Sequence, residues 1–193
     1  MLISITGKLG SGKSTICGIM KERYGYEIFS TGVINREYAR RLGITTLELN
    51  KRLNDDPTLD REIDSLVTKI SIERKDDQLI FDSRMAWHFA VNTFKIFLTI
   101  DPMEAARRVM LNQRGEEERY TDVNDACEKL VERSTVERAR FLDIYNQDYY
   151  DYSNFNLVVD TTRRAPDEIV DIIMAVFEEY QKSPETFVSP REI

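Results

Sequence analysis

Short apolar runs alternate with stretches of helical spacing along most of this chain. Leu2-Ile3-Ser4-Ile5-Thr6 is apolar and β-branched and reads as a buried strand. Apolar spacing from Ile16 to Tyr24 predicts a helix that Gly25 ends. Tyr26-Glu27-Ile28-Phe29 reads as a second strand, and Ser30-Thr31-Gly32 as a turn whose hydroxyl can cap the next helix, Val33 to Leu42. Gly43 ends that helix. Thr45 or Thr46 can cap a short one carrying Leu47, Leu49 and Leu53, and Asp55-Asp56-Pro57 is a turn. From Leu59 to Arg74 the spacing of Ile63, Leu66, Val67 and Ile70 predicts a further amphipathic helix.

Gln78-Leu79-Ile80-Phe81 is predicted as strand three, Phe94 to Ile100 as strand four and Asn156 to Asp160 as strand five. Asp101-Pro102 opens a helix carrying Ala105, Ala106, Val109 and Met110. A long helical pattern spans Asp125 to Tyr145, and Pro166 starts the last helix, with Ile169, Ile172, Ile173, Val176 and Phe177 on its apolar side. Alternation of this kind predicts an α/β fold in three layers, a five-stranded parallel sheet with helices on both faces. Residues 31–75 far exceed the dozen or so that a bare crossover needs, so they read as an inserted helical subdomain over one sheet edge. Residues 113–124 are polar and contain a glycine, which suggests a short lid. Residues 183–193 carry two prolines and read as a loose tail. The remainder, 1–30, 76–112 and 125–182, forms the core of a single domain over 1–193.

Composition narrows the functional classes. The chain has 193 residues and a net charge of −7, against a broad electrostatic footprint for nucleic acid. No apolar run reaches about 20 residues, and no basic segment followed by an apolar core opens the chain, so neither a membrane span nor a secretory leader is expected. Cys17 and Cys127, both within helical patterns, read as reduced thiols. A cytoplasmic protein acting on small molecules, monomeric or weakly dimeric, is the expectation.

The chemistry concentrates between the first strand and the first helix. Gly7-Lys8-Leu9-Gly10-Ser11-Gly12-Lys13-Ser14-Thr15 satisfies the phosphate-loop pattern, with four residues between Gly7 and Gly12. Glycines let successive N–H groups turn inward on a polyphosphate, and the following helix start adds free donors. Lys13 can reach the β- and γ-phosphates of ATP, and the Ser14 hydroxyl can ligate Mg²⁺.

Three further clusters stand out. Thr31-Gly32 is followed by Arg36, one turn into a helix. Asp82-Ser83-Arg84 follows strand three, where Asp82 can hold a Mg²⁺-bound water or accept a proton and Arg84 can clamp a phosphate. Arg133, Glu137 and Arg140 share one helix face by their spacing of four and three, as a phosphate clamp or as an ion-pair ladder. His88, the only histidine, reads as a packed residue rather than a base.

Taken together these residues resemble the nucleoside monophosphate kinases, and within them the short archaeal-type cytidylate kinases. The resemblance rests on residues 7–15, Ser30-Thr31-Gly32 with Arg36, Asp82-Ser83-Arg84, Arg133-Glu137-Arg140 with Tyr145 and Asp148, and Val158-Val159-Asp160-Thr161-Thr162. It implies a P-loop NTPase fold and ATP-dependent phosphorylation of CMP or dCMP with Mg²⁺. Residues 7–15 would bind ATP. Lys13, Arg133, Arg140 and Asp82 would be catalytic. Thr31, Arg36, Arg84 and Glu137 would take the acceptor, with Glu137 at its sugar. Lid residues Arg114 and Arg119 would close over the site. Two other readings stay open: a kinase for AMP, dephospho-coenzyme A or a small alcohol, and a non-catalytic nucleotide-binding protein.

Overall fold

The computed structural model describes residues 1–112 and 119–193. The described chain runs β1 (Leu2–Gly7), α1 (Lys13–Tyr24), β2 (Glu27–Ser30), α2 (Thr31–Leu42), α3 (Thr46–Asp55), α4 (Thr58–Glu73), β3 (Leu79–Asp82) and α5 (Ala86–Phe89). It continues through β4 (Thr93–Thr99), α6 (Pro102–Leu111), α7 (Val123–Tyr145), β5 (Leu157–Asp160), α8 (Pro166–Lys182) and β6 (Arg191–Glu192). The strands form one parallel sheet in the order β2-β3-β1-β4-β5-β6.

Alternation along the strands divides the core. Ile3 and Ile5 of β1 join Ile80, Phe94, Ile96, Leu98 and Val159 against Ile16 and Met20 of α1 and Ile169 and Ile173 of α8. On the opposite face Phe97 and Val158 meet Trp87, Phe141, Tyr149 and Phe155. Helices therefore cover both faces, as the α/β pattern predicts.

The sheet has six strands, one more than the apolar pattern predicts. The extra one comes from the segment read as a loose tail. Phe187 packs edge-on against Phe94 and Tyr180, and Arg191–Glu192 then pairs with Leu157 and Val158 of β5. Ile193 completes the edge, its N–H donating to the Val158 carbonyl at 3.0 Å and its carbonyl accepting from the Asp160 N–H at 2.9 Å.

Register brings the carboxyl ends of the strands together. Asp82 is level with both Ile5 and Ser30, and Gly7 with Leu98. The loops that leave these positions share one edge, where ligands of such sheets bind. The helices α2, α3 and α4 lie between β2 and β3, and α3 packs on α7. Thr45 fixes the start of α3 with a capping box: its hydroxyl accepts from the Glu48 N–H at 3.1 Å and Glu48 accepts from the Thr45 N–H at 2.7 Å.

Candidate active site

The loop from Gly7 to Thr15 has the geometry of an anion cradle. A side chain at Gly7 would place its Cβ 2.5 Å from the Leu98 carbonyl, so only glycine lets β1 lie this close to β4 here. Gly12 caps α1 at φ 86°, a left-handed conformation that glycine adopts without strain. No side chain caps α1, and its first turn carries no acidic residue, which leaves its N–H donors for an anion. Ser11 Oγ is buried without a hydrogen-bond partner among the described residues. Such an orphaned donor in a loop of this shape fits a phosphate oxygen. Lys8 serves the loop through its backbone, donating to the Leu98 carbonyl at 2.9 Å.

Lys13 lies back over the loop, with Nζ 3.5 Å from the Gly7 carbonyl. Burial, with Arg84 next to it, depresses its ammonium to about 7, despite the opposing pull of Asp82 and Glu137. Ser14 is exposed on the first turn of α1. Asp82, buried at the end of β3, accepts from Ser30 Oγ at 2.7 Å. Ser14 and Asp82 both line the cleft and provide one hydroxyl and one carboxylate, a donor set that suits Mg²⁺ completed by phosphate oxygens and water. The described residues contain no group of three or more His, Cys, Asp or Glu side chains arranged for a metal.

Arg84 joins the loop to the far wall. Its Nη1 donates to the Gly7 carbonyl at 2.7 Å and its Nε to Glu137 Oε2 at 2.9 Å. Arg133 donates from Nε to the other Glu137 oxygen at 3.0 Å and from Nη1 to Thr46 Oγ1 at 3.1 Å. Glu137 is therefore held between two guanidiniums. Burial opposes its ionisation, but Arg84 and then Arg133 outweigh it and hold the carboxyl at about 2. The same pairing raises Arg84 against the effect of its burial.

Arg140 departs from the expectation. It is buried, with Nε 2.8 Å from Asp60 Oδ2 and Nη1 donating to the carbonyl and Oδ1 of Asn50 at 3.0 and 2.8 Å. Its partners come from α3 and α4, and it is not among the cleft residues. Spacing along α7 gave the face correctly, but seven residues are two turns, and that rise of roughly 10 Å carries Arg140 under the inserted helices. Tyr145 donates to Asp64 Oδ2 at 2.6 Å, and Asp148 accepts from Arg138 at 2.9 Å, so both hold structure rather than line the cleft.

The cleft encloses about 840 Å³ and carries six basic side chains against two acidic ones, on a chain of net charge −7. Thr31, Gly32 and Arg36 line it from α2. Thr31 starts that helix directly after β2, with no intervening turn. Polar residues absent from the sequence expectation also line it, among them Asn35, Arg108 and Arg164. Arg108 donates to the carbonyls of Thr161 and Thr162 at 2.7 and 3.2 Å. Of the lid arginines, Arg119 is exposed and outside the cleft lining, and Arg114 lies outside the described residues. His88 is exposed on α5, away from the cleft.

Known proteins resemble this chain along most of its length. Residues 3–131 match a family model described as an AAA domain. A cytidylate kinase from Natronomonas pharaonis is 32% identical over 100% of this chain and 97% of its own length. The chain belongs to the cytidylate kinase family. An S-adenosylmethionine-dependent nucleotide dehydratase from Lacinutrix mariniflava is also 32% identical over 94% of the chain, which spans only 36% of that protein. A solved structure of an uncharacterized protein from Eubacterium ventriosum covers 92% of this chain and 98% of its own, with a TM-score of 0.67 at 16% identity, and shares the fold. As a member of the cytidylate kinase family the chain is an ATP-dependent phosphotransferase of the nucleoside monophosphate kinase type. No helix among the described residues is long and apolar enough to cross a membrane.

Proposed function

We propose that this cytidylate kinase family member transfers the γ-phosphoryl group of ATP to CMP or dCMP, giving the diphosphate and ADP. The supporting observation is the position of Arg84, which touches the phosphate loop through Gly7 and the opposite wall through Glu137. Its guanidinium thus reaches from the phosphate loop to the acceptor wall, which supports a charge-stabilising role in a transfer between two phosphates. Relatives named as cytidylate kinases supply the choice of acceptor.

ATP brings the transferred group; Ser14 and, through water, Asp82 would hold Mg²⁺, which would supply charge neutralisation for the phosphate oxygens. Residues 7–15 hold the polyphosphate by backbone N–H groups, and Lys13 regains its proton when anionic oxygens lie against it. Thr31, Arg36 and Arg84 hold the acceptor phosphate so that one oxygen faces the γ-phosphorus, while the bond to the ADP oxygen breaks in line. Arg84 and Arg133 stabilise the charge that spreads over the transferred group. Glu137 keeps these two guanidiniums side by side and faces the acceptor's sugar. Arg140 stands outside this set.

The test is ADP release with CMP, dCMP, UMP, AMP, dephospho-coenzyme A and glycerol. CMP or dCMP is expected to be the best acceptor, and Arg36→Ala to raise its KM while leaving the KM for ATP unchanged. A clear preference for AMP, dephospho-coenzyme A or the alcohol would overturn the reading.

A further inference from the structure

Among the described residues, the cleft wall includes one residue, outside the phosphate loop, whose side chain carries a buried polar atom without a partner. Asn35 lies one turn after Thr31 on α2, so the two side chains share a face and both line the cleft. Arg36 follows it directly. Among the described residues nothing donates to Asn35 Oδ1, although the atom is buried. An unpaired buried carbonyl costs stability, so its persistence calls for an occupant that bonds to it.

The neighbours define what that occupant offers. Lys13, Arg84 and Arg133 line the part of the cleft next to the phosphate loop, and as cations they offer hydrogen-bond donors and no acceptor. Asn35 is the uncharged amide at the acceptor wall, beside the arginine that would hold the acceptor phosphate. An amide carbonyl there suits the edge of a base, not a phosphate, because two oxygens without a proton between them repel. It accepts from an exocyclic amino group, as on cytosine or adenine, and meets a bare oxygen on uracil or hypoxanthine.

We infer that Asn35 is a specificity residue of the acceptor site, which selects monophosphates whose base carries an exocyclic amino group. The inference rests on the acceptor reading above and names a chemical basis for its choice of base. A site built to bond a polar group rejects the analogue that cannot supply the bond, because its own group is then left unpaired.

The experiment measures kcat/KM for CMP and UMP with wild type, Asn35→Leu and Asn35→Asp, together with the KM for ATP and the thermal midpoint without ligand. Wild type should prefer CMP at least about tenfold, which corresponds to about 1.4 kcal/mol. Asn35→Leu should bring the two acceptors within about threefold of each other, with the KM for ATP unchanged and the midpoint unchanged or raised. Asn35→Asp keeps the accepting oxygen and should retain the preference. A CMP-to-UMP ratio that is the same in Asn35→Leu as in wild type overturns the inference. If wild type uses neither pyrimidine, the CMP reading fails on its own. AMP against IMP, which differ at the same kind of group, then decides the role of Asn35 by the same ratio. An enzyme that accepts none of the four overturns both.

Discussion

Glu137 and Arg84, 53 positions apart in sequence, meet at 2.9 Å with their side chains 6% and 16% exposed. Their contact ties α7 to the segment after β3, and Arg133 closes it from the other side. One buried carboxylate against two guanidiniums leaves a net positive charge, and it is the only counter-charge these contacts give the pair.

Glu137→Gln should therefore destabilise the protein by about 3–5 kcal/mol, the cost of leaving buried charge without its counter-ion. The carboxyl titrates at about 2 in the fold and near 4.3 when unfolded. Its contribution is thus complete above about pH 4.3 and is lost as the pH falls toward 2. Urea unfolding of wild type and Glu137→Gln at pH 7 and pH 3 should show a gap that narrows at the lower pH. A constant gap would contradict the pairing.

Lys13 makes a different pH prediction. Burial and Arg84 lower its pKa to about 7, so at pH 8 the free protein holds it mostly neutral. Polyphosphate oxygens against Nζ restore the proton, and ATP binding at pH 8 should take up close to one proton. Calorimetry in buffers of different ionisation enthalpy reads this directly, with Lys13→Met as the control that shows no uptake. In the ligand-free protein the unfolded chain binds more protons between about pH 7 and 10.4, so this residue makes stability rise with pH across that window. Proton uptake of equal size in Lys13→Met would remove the assignment.

Arg140 should behave as a structural residue. Its ion pair with Asp60 is buried on both sides, 2% and 6% exposed, and Asn50 takes two more bonds. Arg140→Ala should cost about 3–5 kcal/mol of stability and leave turnover of the folded protein within about threefold of wild type. Arg133→Ala should lower turnover by about 10²-fold or more, the usual effect of losing a charge-stabilising group. Turnover and thermal midpoint, measured side by side, separate the two. Lost turnover at an unchanged midpoint in Arg140→Ala would return that residue to the cleft.

The sequence was most informative where one feature carried its own geometry. Residues 7–15 sit between an apolar strand and a helix, so motif, turn and dipole agree, and the loop forms where the pattern places it. The five apolar strands were legible for the same reason. β6 was not, because Arg191 and Glu192 have no apolar alternation and pair through the backbone alone. α5 is a single turn that leaves no periodicity to detect. Arg140 shows the limit of spacing, which fixes a face but not the height along a helix relative to its neighbours. Arg108 and Asn35 look like ordinary solvent-facing helix residues, and only the closure of the cleft reveals their surroundings.

The short β6 also bears on self-association. Without it, the backbone of Leu157, Val158 and Val159 would form the sheet margin, an apolar ribbon of the kind on which another chain can add itself as a strand. Instead the margin is two residues long, both charged, with Pro190 just before it, and Arg191 is clamped to Glu179 at 2.6 and 2.8 Å. At the opposite margin β2 spans four residues, and its first, Glu27, is paired with Arg74 at 3.0 Å. Short, charged and tethered borders give a neighbouring chain little backbone to pair with, so the same six-stranded sheet that aligns the cleft also discourages growth into aggregates.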